Sequence, residues 1–342
     1  MNEDSFKHLS KHILLELSKA NDALAITGLY FLSKKIFSST CSVFQFIRTH
    51  VFSRATTPDL IKTYGGKWAV VTGSSCGIGK AYAEELAKRG LNLILISRDS
   101  RKLQQTAIQI NEQYQVEVDF ISITFDGDAG KYDRLKIELD KRDIGILVNN
   151  VGVMYDYPQH FLDVPSQRLW ELVNVNIAAT TVMTHLILSQ MVERGKGAIV
   201  NLSAGGSSKP TPQMTVYAAT KAYIDLFSRA LNYEYKDYGI TVQCLLPFYV
   251  GTKFSKISSK PGKLIHFIPS AECYASHAIC TLGYSSRTCG YWLHSIQGCI
   301  VRAIPEWLWM WGASRLNQAL RRQAKERLKS KSSKSLKEVD NG

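Results

Sequence analysis

Tyr217 and Lys221 stand four residues apart in the string Tyr217-Ala-Ala-Thr-Lys221. On a helix that spacing puts both side chains on one face. A free tyrosine keeps its proton up to a pKa of about 10, and a nearby ammonium favours the phenolate and lowers that value. Such a tyrosine can protonate a carbonyl oxygen undergoing reduction, or take the proton in reverse. The pair occurs often by chance, so its weight depends on its company. That company is Thr72-Gly73-Ser74-Ser75-Cys76-Gly77-Ile78-Gly79, between an apolar run and a helical spacing. Glycines there allow a tight turn and let backbone amides approach a pyrophosphate at the positive end of a helix. Gly73, Ser75, Gly77, Ile78 and Gly79 are therefore candidate cofactor-binding residues. Arg98, in Ile96-Ser97-Arg98, follows the next apolar run. An acid at that place would bind a ribose 2′-hydroxyl, whereas an arginine pairs with a 2′-phosphate, so NADP(H) is favoured over NAD(H).

These residues need a frame. Six apolar runs, Trp68–Thr72, Leu91–Ile96, Val116–Thr124, Ile144–Val148, Ala198–Leu202 and Ile240–Leu246, alternate with helix-like stretches such as Arg168–Arg194 and Tyr217–Tyr238. Near-continuous apolar strands separated by helices predict a doubly wound α/β fold with a parallel sheet covered on both faces. Residues 252–312 are rich in Tyr, Trp and Cys and irregular in pattern, and 321–342 read as helix followed by disorder. The expected organisation is a hydrophobic N-terminal segment at 1–62, the α/β domain at 63–312 and a basic tail at 313–342. The uninterrupted apolar run Ala23–Ser33 is short of the about 20 residues a spanning helix wants, because Lys34 and Lys35 break it. An interfacial or re-entrant helix is expected there.

The 342 residues carry 42 Lys or Arg against 29 acids, a net charge of +13. The excess is uneven: from Arg315 onward nine cations face three acids. A basic tail of this kind suits solubility or an anionic membrane surface, and no nucleic-acid reading is made of it. Trp307, Trp309 and Trp311, just before the tail, suit a membrane interface or a buried aromatic cluster. The seven scattered cysteines form no CxxC pair and no metal-ligand spacing. Free, mostly buried thiols in a reducing compartment are expected. No cleavable secretory signal is visible.

The glycine loop, Asn149-Asn150-Val151-Gly152 and Tyr217-Ala-Ala-Thr-Lys221 together resemble the short-chain dehydrogenase/reductase family, strongly over residues 66–250. The stretches Lys80-Ala-Tyr-Ala-Glu-Glu-Leu-Ala, Lys209-Pro-Thr-Pro and Pro305-Glu-Trp-Leu-Trp are similar to its 17β-hydroxysteroid dehydrogenase and 3-ketoacyl-CoA reductase group. The resemblance implies a Rossmann-type fold and general-acid chemistry at Tyr217. It implies that Lys221 also binds the nicotinamide ribose and that Asn176 holds a water in the proton relay. Asn149 and Gly152 would back the cofactor, and Thr252, in Pro247-Phe-Tyr-Val-Gly-Thr252, would lie near its carboxamide. Asp126 is a candidate adenine contact after a register shift, or else a turn or helix-capping acid. The resemblance also implies a mitochondrial or endoplasmic-reticulum membrane setting and, by analogy, a homodimer.

One residue departs from the pattern. The family's catalytic serine lies thirteen residues before its tyrosine, which here is Ala204, in Asn201-Leu-Ser203-Ala204-Gly205-Gly206. The oxyanion donor is missing. If the segment is still strand, Ser203 points to the opposite face; a shifted loop would bring Ser203, as a substrate contact, or Ser207 into place. The intact Tyr217, Lys221 and Asn176 favour a slow NADP(H)-dependent oxidoreductase acting on a small lipophilic ketone or alcohol of the steroid or 3-ketoacyl class. The alternative is a dinucleotide-binding pseudoenzyme. Tyr155, Tyr157, Phe248 and Phe254 are candidates for an apolar substrate wall.

Overall fold

The computed structural model describes residues 3–56, 58–252 and 268–340. The chain divides into two compact units, Met1–Phe52 and Ser53–Gly342. The first is one long helix, α1 (Glu3–Ile47), closed by a π-turn at Arg48–Phe52. The apolar run Ala23–Ser33 lies within this one continuous helix. Its large apolar side chains, among them Leu24, Ile26, Leu29, Phe31, Ile36 and Phe37, are exposed and distributed round the axis. The hydroxyls of Thr27, Thr40 and Ser42 bond back to carbonyls one turn earlier.

The second unit begins with the short turns α2 (Ser53–Ala55) and α3 (Leu60–Tyr64). Strands and helices then alternate: β1 (Trp68–Thr72), α4 (Gly77–Ala87), β2 (Asn92–Ser97), α5 (Ser100–Tyr114), β3 (Val118–Ser122), α6 (Ala129–Leu139) and β4 (Ile144–Asn149). There follow α7 (Ser166–Val173), α8 (Ala179–Arg194), β5 (Gly197–Leu202), α9 (Thr215–Tyr235) and β6 (Ile240–Leu245). The chain ends with α10 (Ala271–Cys280), β7 (Arg287–Thr288), α11 (Trp292–Ala303) and α12 (Glu306–Asp340).

All six strand pairings are parallel, in the order β3-β2-β1-β4-β5-β6-β7. The strands are apolar on both faces because helices cover both. Ala69, Val71, Leu93, Leu95, Ile146 and Val148 pack with α4, α5 and α10. Val70, Ile94, Ile96, Leu147 and Ile199 pack with α6 and α8. This alternation is the period of two expected of a pleated sheet buried on each side. Among the described residues, one stretch, Ser166–Arg194, is long and apolar enough to cross a membrane, and half of its apolar window is buried on the sheet.

Three expectations need correction. Residues 252–312 are not irregular where described: they hold α10, β7 and α11. Their periodicity was masked because α10 buries nearly a whole side, with Ala271, Tyr274, Ala275 and Ala278 under 6% exposed, while β7 is only two residues long. The tail is not helix then disorder but one helix, α12, to Asp340. The thiols are free but not mostly buried: Cys41, Cys76 and Cys299 are exposed, and Cys244, Cys280 and Cys289 are buried.

Candidate functional site

The strand order reverses between β1 and β4, whose C-terminal ends lie side by side. A crevice outside such a switch point is where doubly wound sheets bind ligands. The loops that leave β1, β4, β5 and β6 carry the candidate residues to it.

Thr72 ties the first two loops. Its hydroxyl donates to Val148 O at 3.3 Å and accepts from the backbone N–H of Asn150 at 3.0 Å and of Val151 at 3.1 Å. Asn150 Nδ2 returns two bonds, to Thr72 O at 2.9 Å and Gly73 O at 3.0 Å. This clamp explains the glycines. A Cβ on Gly79 would lie 2.2 Å from Asn150 Nδ2 and 2.4 Å from Gly73 O. Gly73 and Gly77 hold φ of 67° and 60°, the left-handed region that glycine adopts without strain. Asn150 was not among the candidates, although the doublet Asn149-Asn150 at a strand end was its visible signal.

The α4 N-terminus is left open for an anion. Its N-cap, Cys76, supplies no side-chain acceptor, and no acid lies in the first turn. The orphan amides of that turn and the helix dipole together suit a phosphate. Ser75 Oγ lies 3.0 Å from Ser97 Oγ, joining the glycine loop to the end of β2. Arg98 follows, 71% exposed, with its guanidinium 3.8 Å from Glu171. Glu171 is held more closely by Arg168, at 2.6 Å. An exposed pair at that distance contributes little, so Arg98 remains available to an anion. Gly77 faces Thr252: a Cβ on Gly77 would sit 3.3 Å from Thr252 Cγ2. The loops after β1 and β6 thus meet, with Ile78 between Gly77 and Gly79 on the same helical turn. These glycines, the open helix end and Arg98 form a cradle that fits a nicotinamide dinucleotide. When bound, that group supplies the hydride acceptor or donor.

Two of the candidate side chains, Lys221 and Asn176, meet at Gly152. A Cβ there would lie 3.3 Å from Lys221 Nζ and 3.4 Å from Asn176 Oδ1. Asn176 sits in a π-turn, Asn174–Ala178, between α7 and α8. It is 1% exposed, and its amide makes three bonds: Oδ1 accepts from Val153 N at 2.8 Å, and Nδ2 donates to Val153 O at 2.9 Å and Thr220 Oγ1 at 3.0 Å. The amide therefore braces the β4 loop against α9. Asn149 plays a similar bracing part. Its Nδ2 donates to Thr184 Oγ1 at 3.0 Å and Asn201 Oδ1 at 2.9 Å, and Asn201 continues to Ser228.

Lys221 is buried and its Nζ donates to Leu202 O at 2.9 Å. Ser203 Oγ donates in return to Lys221 O at 2.6 Å. The strand end and α9 are thereby latched in both directions. Burial lowers the Lys221 pKa to about 8. Tyr217 moves the other way: burial pushes its hydroxyl up to about 12, and the nearby Tyr249 adds to the rise. The expectation that Lys221 would lower the Tyr217 pKa is corrected here, because the loss of hydration outweighs any attraction from an ammonium turned toward Leu202. Tyr249, exposed beside Tyr217, was not foreseen.

The Lys221 shift has a checkable sign. Its folded pKa lies below its unfolded value, so the unfolded chain binds more protons between pH about 8 and 10.5. Stability attributable to Lys221 should therefore rise with pH across that window and carry its full penalty below pH 8. Melting temperatures of the parent and of Lys221→Met, compared from pH 7 to about 10.5, should converge as pH rises. A parallel pair of curves would contradict the shift.

The remaining candidates are placed as follows. Ala204 is extended, with φ −150° and ψ 138°, and caps the short 3-10 turn Gly205–Ser208. Ser203 does not reach the substrate side as the shifted loop would require, since its hydroxyl is spent on Lys221 O. Asp126 lies in a turn, paired with Lys131, and its Oδ1 accepts from Asp128 N at 3.3 Å. The cap of α6 is Asp128. The Lys131 bond holds the Asp126 carboxyl below the usual range. Tyr155 is core: 2% exposed, its hydroxyl accepts from Val216 N at 3.2 Å at the start of α9. Tyr157 is half-buried. Phe248 packs on Gly205 and the buried His294. Phe254 lies outside the described residues.

A family model described as short chain dehydrogenase matches residues 67–261. Over 322 residues the chain is 49% identical to the human protein called inactive hydroxysteroid dehydrogenase-like protein 1, covering 94% of this chain and 97% of that one. It is 44% identical over 258 residues to human very-long-chain 3-oxoacyl-CoA reductase, covering 75% and 81%. Among solved structures it is similar to a short-chain dehydrogenase from Sphingobium yanoikuyae in complex with NADPH, with 28% identity, a TM-score of 0.57 and coverage of 62% and 82%. The glycine cradle at the β1–β4 switch point, the Tyr217–Lys221 pair and these matches lead to one assignment: the chain belongs to the short-chain dehydrogenase/reductase family.

Proposed function

We propose that this chain binds NADP(H) in preference to NAD(H) and that its turnover is arrested, or nearly so, at the position of Ala204. The observation that carries this reading is the fate of the two hydroxyls. Ala204 has none, and Ser203 donates its own to Lys221 O. A carbonyl oxygen beside Tyr217 would therefore lack a serine donor from either residue, and loss of one such donor costs about 10²- to 10³-fold in rate. The relatives named inactive agree with this reading. The retention of Tyr217, with Lys221 and Asn176 beside Gly152, supports the second reading, a slow reductase of a lipophilic ketone of the steroid or 3-ketoacyl class. The relative named 3-oxoacyl-CoA reductase agrees with that one. In either case the exposed apolar girth of α1 suits attachment to a mitochondrial or endoplasmic-reticulum membrane. A homodimer remains an analogy to the family.

The cofactor half of the proposal is tested by ligand-induced stabilisation. A ligand that binds only the folded state at a hundred times its Kd adds about 2.7 kcal/mol. The parent should gain several degrees in melting temperature with NADPH and less with NADH. In Arg98→Ala the two should become nearly equal, a shift in preference of about tenfold, as expected for loss of one charge-assisted phosphate contact. A parent that neither cofactor stabilises would refute the binding claim. An unchanged preference in Arg98→Ala would refute the role of Arg98. The turnover half is read by following NADPH oxidation with a panel of ketosteroids and 3-ketoacyl thioesters.

A further inference from the structure

Helix α12 has two unlike sides. Its inner side holds the loops beside the site: Asn317 Nδ2 donates to Pro212 O at 2.8 Å, Gln213 Nε2 donates to Ser314 Oγ at 3.5 Å, and Arg321 pairs with Asp163. Pro212 and Gln213 immediately precede α9, which carries Tyr217 and Lys221. Its outer side is a different surface. At 100° per residue, Trp307, Trp311, Arg315, Arg322 and Lys325 fall within about 80° of one another, in an arc centred about 120° round the helix from Asn317. Trp307 and Trp311 are 68% and 60% exposed. Arg315 lies over the Trp311 ring, 5.9 Å from its centroid. Arg322 and Lys325 are exposed about two and three turns further on. The preceding helix α11 also turns large apolar groups outward, with Trp292, Ile296 and Ile300 at 40%, 42% and 58% exposure and a spacing of four.

We propose that this outer face of α11 and α12 docks on an anionic lipid bilayer, with the tryptophans at the headgroup level and the cations over the lipid phosphates. The order of the residues argues for this occupant. Tryptophan favours the boundary between water and hydrocarbon. A helix lying in the interface joins an apolar part to basic residues. A nucleic acid would use the cations and could stack the rings, but it gives Ile296 and Ile300 nothing to bury against. A second copy using the same face would bring Arg315, Arg322 and Lys325 against their own like. The proposal is independent of turnover and of which cofactor binds.

The test uses the full chain and extruded vesicles, either of phosphatidylcholine alone or with about a third phosphatidylserine. Each basic residue near such a surface contributes about 1 kcal/mol, or roughly fivefold in affinity. The parent should bind the anionic vesicles at least about tenfold more tightly than the neutral ones, and raised salt should erase the difference. Arg315→Glu with Arg322→Glu should lose that anionic preference. Trp307→Ser with Trp311→Ser should weaken binding to both vesicle types. All four side chains face outward, so melting temperatures close to the parent's would show the variants folded. Should either variant fail to fold, quenching of the parent's tryptophan fluorescence by brominated phosphatidylserine reads the same contact directly. Equal binding of parent and folded variants would overturn the proposal and leave α1 as the whole attachment. So would indifference to the anionic lipid, absence of quenching, a dimer dissolved by Arg315→Glu, or displacement of the vesicles by duplex nucleic acid.

Discussion

Ala204→Ser should turn over a substrate that the parent barely touches, by a factor of about 10² to 10³. The serine would enter at an extended residue, φ −150° and ψ 138°, a conformation it adopts freely. Ser203 already points to Lys221 O, so its successor on the strand end projects to the other side, where a hydroxyl can donate to the carbonyl oxygen as negative charge develops. Tyr217 would then give its proton to that oxygen, its high pKa making it a weak acid but a proton holder at neutral pH. The measurement is NADPH oxidation by parent, Ala204→Ser and Ala204→Ser with Tyr217→Phe. The third should be silent. If Ala204→Ser binds NADPH and still turns over nothing in the panel, the missing hydroxyl is not what arrests the site. If the parent is already as fast as Ala204→Ser, another donor replaces the serine and the chain is an ordinary reductase.

Gly79→Ala should abolish cofactor binding and cost stability together. The added Cβ would meet Asn150 Nδ2 at 2.2 Å and Gly73 O at 2.4 Å, and the second of these is backbone. Asn150 cannot retreat without giving up its bonds to Thr72 O and Gly73 O. Overpacking of this kind costs about 1–3 kcal/mol, and a displaced Gly73 reshapes the loop that would cradle phosphate. A drop of several degrees in melting temperature is expected, with no further gain on adding NADPH. Gly312→Ala, at a site where a Cβ meets nothing within 4 Å, serves as the control and should keep its full NADPH response. A Gly79→Ala protein that melts with the parent and is equally stabilised would show that the clamp does not shape the site.

Much of this architecture is legible in the sequence because its physics is local. A parallel strand buried on both faces must be a short apolar run, so β1, β2, β4, β5 and β6 announce themselves, and the glycine loop after β1 can be placed at once. The elements that escaped are those whose reason is distant. Two-residue β7 exists because Cys244 and Leu245 pair with Arg287 and Thr288 and Arg287 meets Asp225 on α9, and no window of sequence contains that. The same holds within the site. The spacing of Tyr217 and Lys221 brings them to one helix face, but the direction of the Lys221 ammonium depends on Leu202, nineteen residues away, and the Tyr217 pKa depends on what buries it. Asn149 and Asn176 are recognisable as motif residues, whereas the bonds of their amides are visible only once β5, α8 and α9 surround them. Asn150 lacked a stated role for the same reason: its partners belong to β1.

The reciprocal bonds between Ser203 and Lys221 separate what the site needs to stand from what it needs to react. The bonds that tie β5 and its end to α9 pass through Ser203, Lys221 and Leu202, with one more from Asn201 to Ser228, and none of these bonds passes through residue 204. Ala204→Ser should therefore leave these bonds intact, so its effect is expected on chemistry and not on folding. The hydroxyl tested by Ala204→Ser would thus be added to a scaffold whose latch it does not touch.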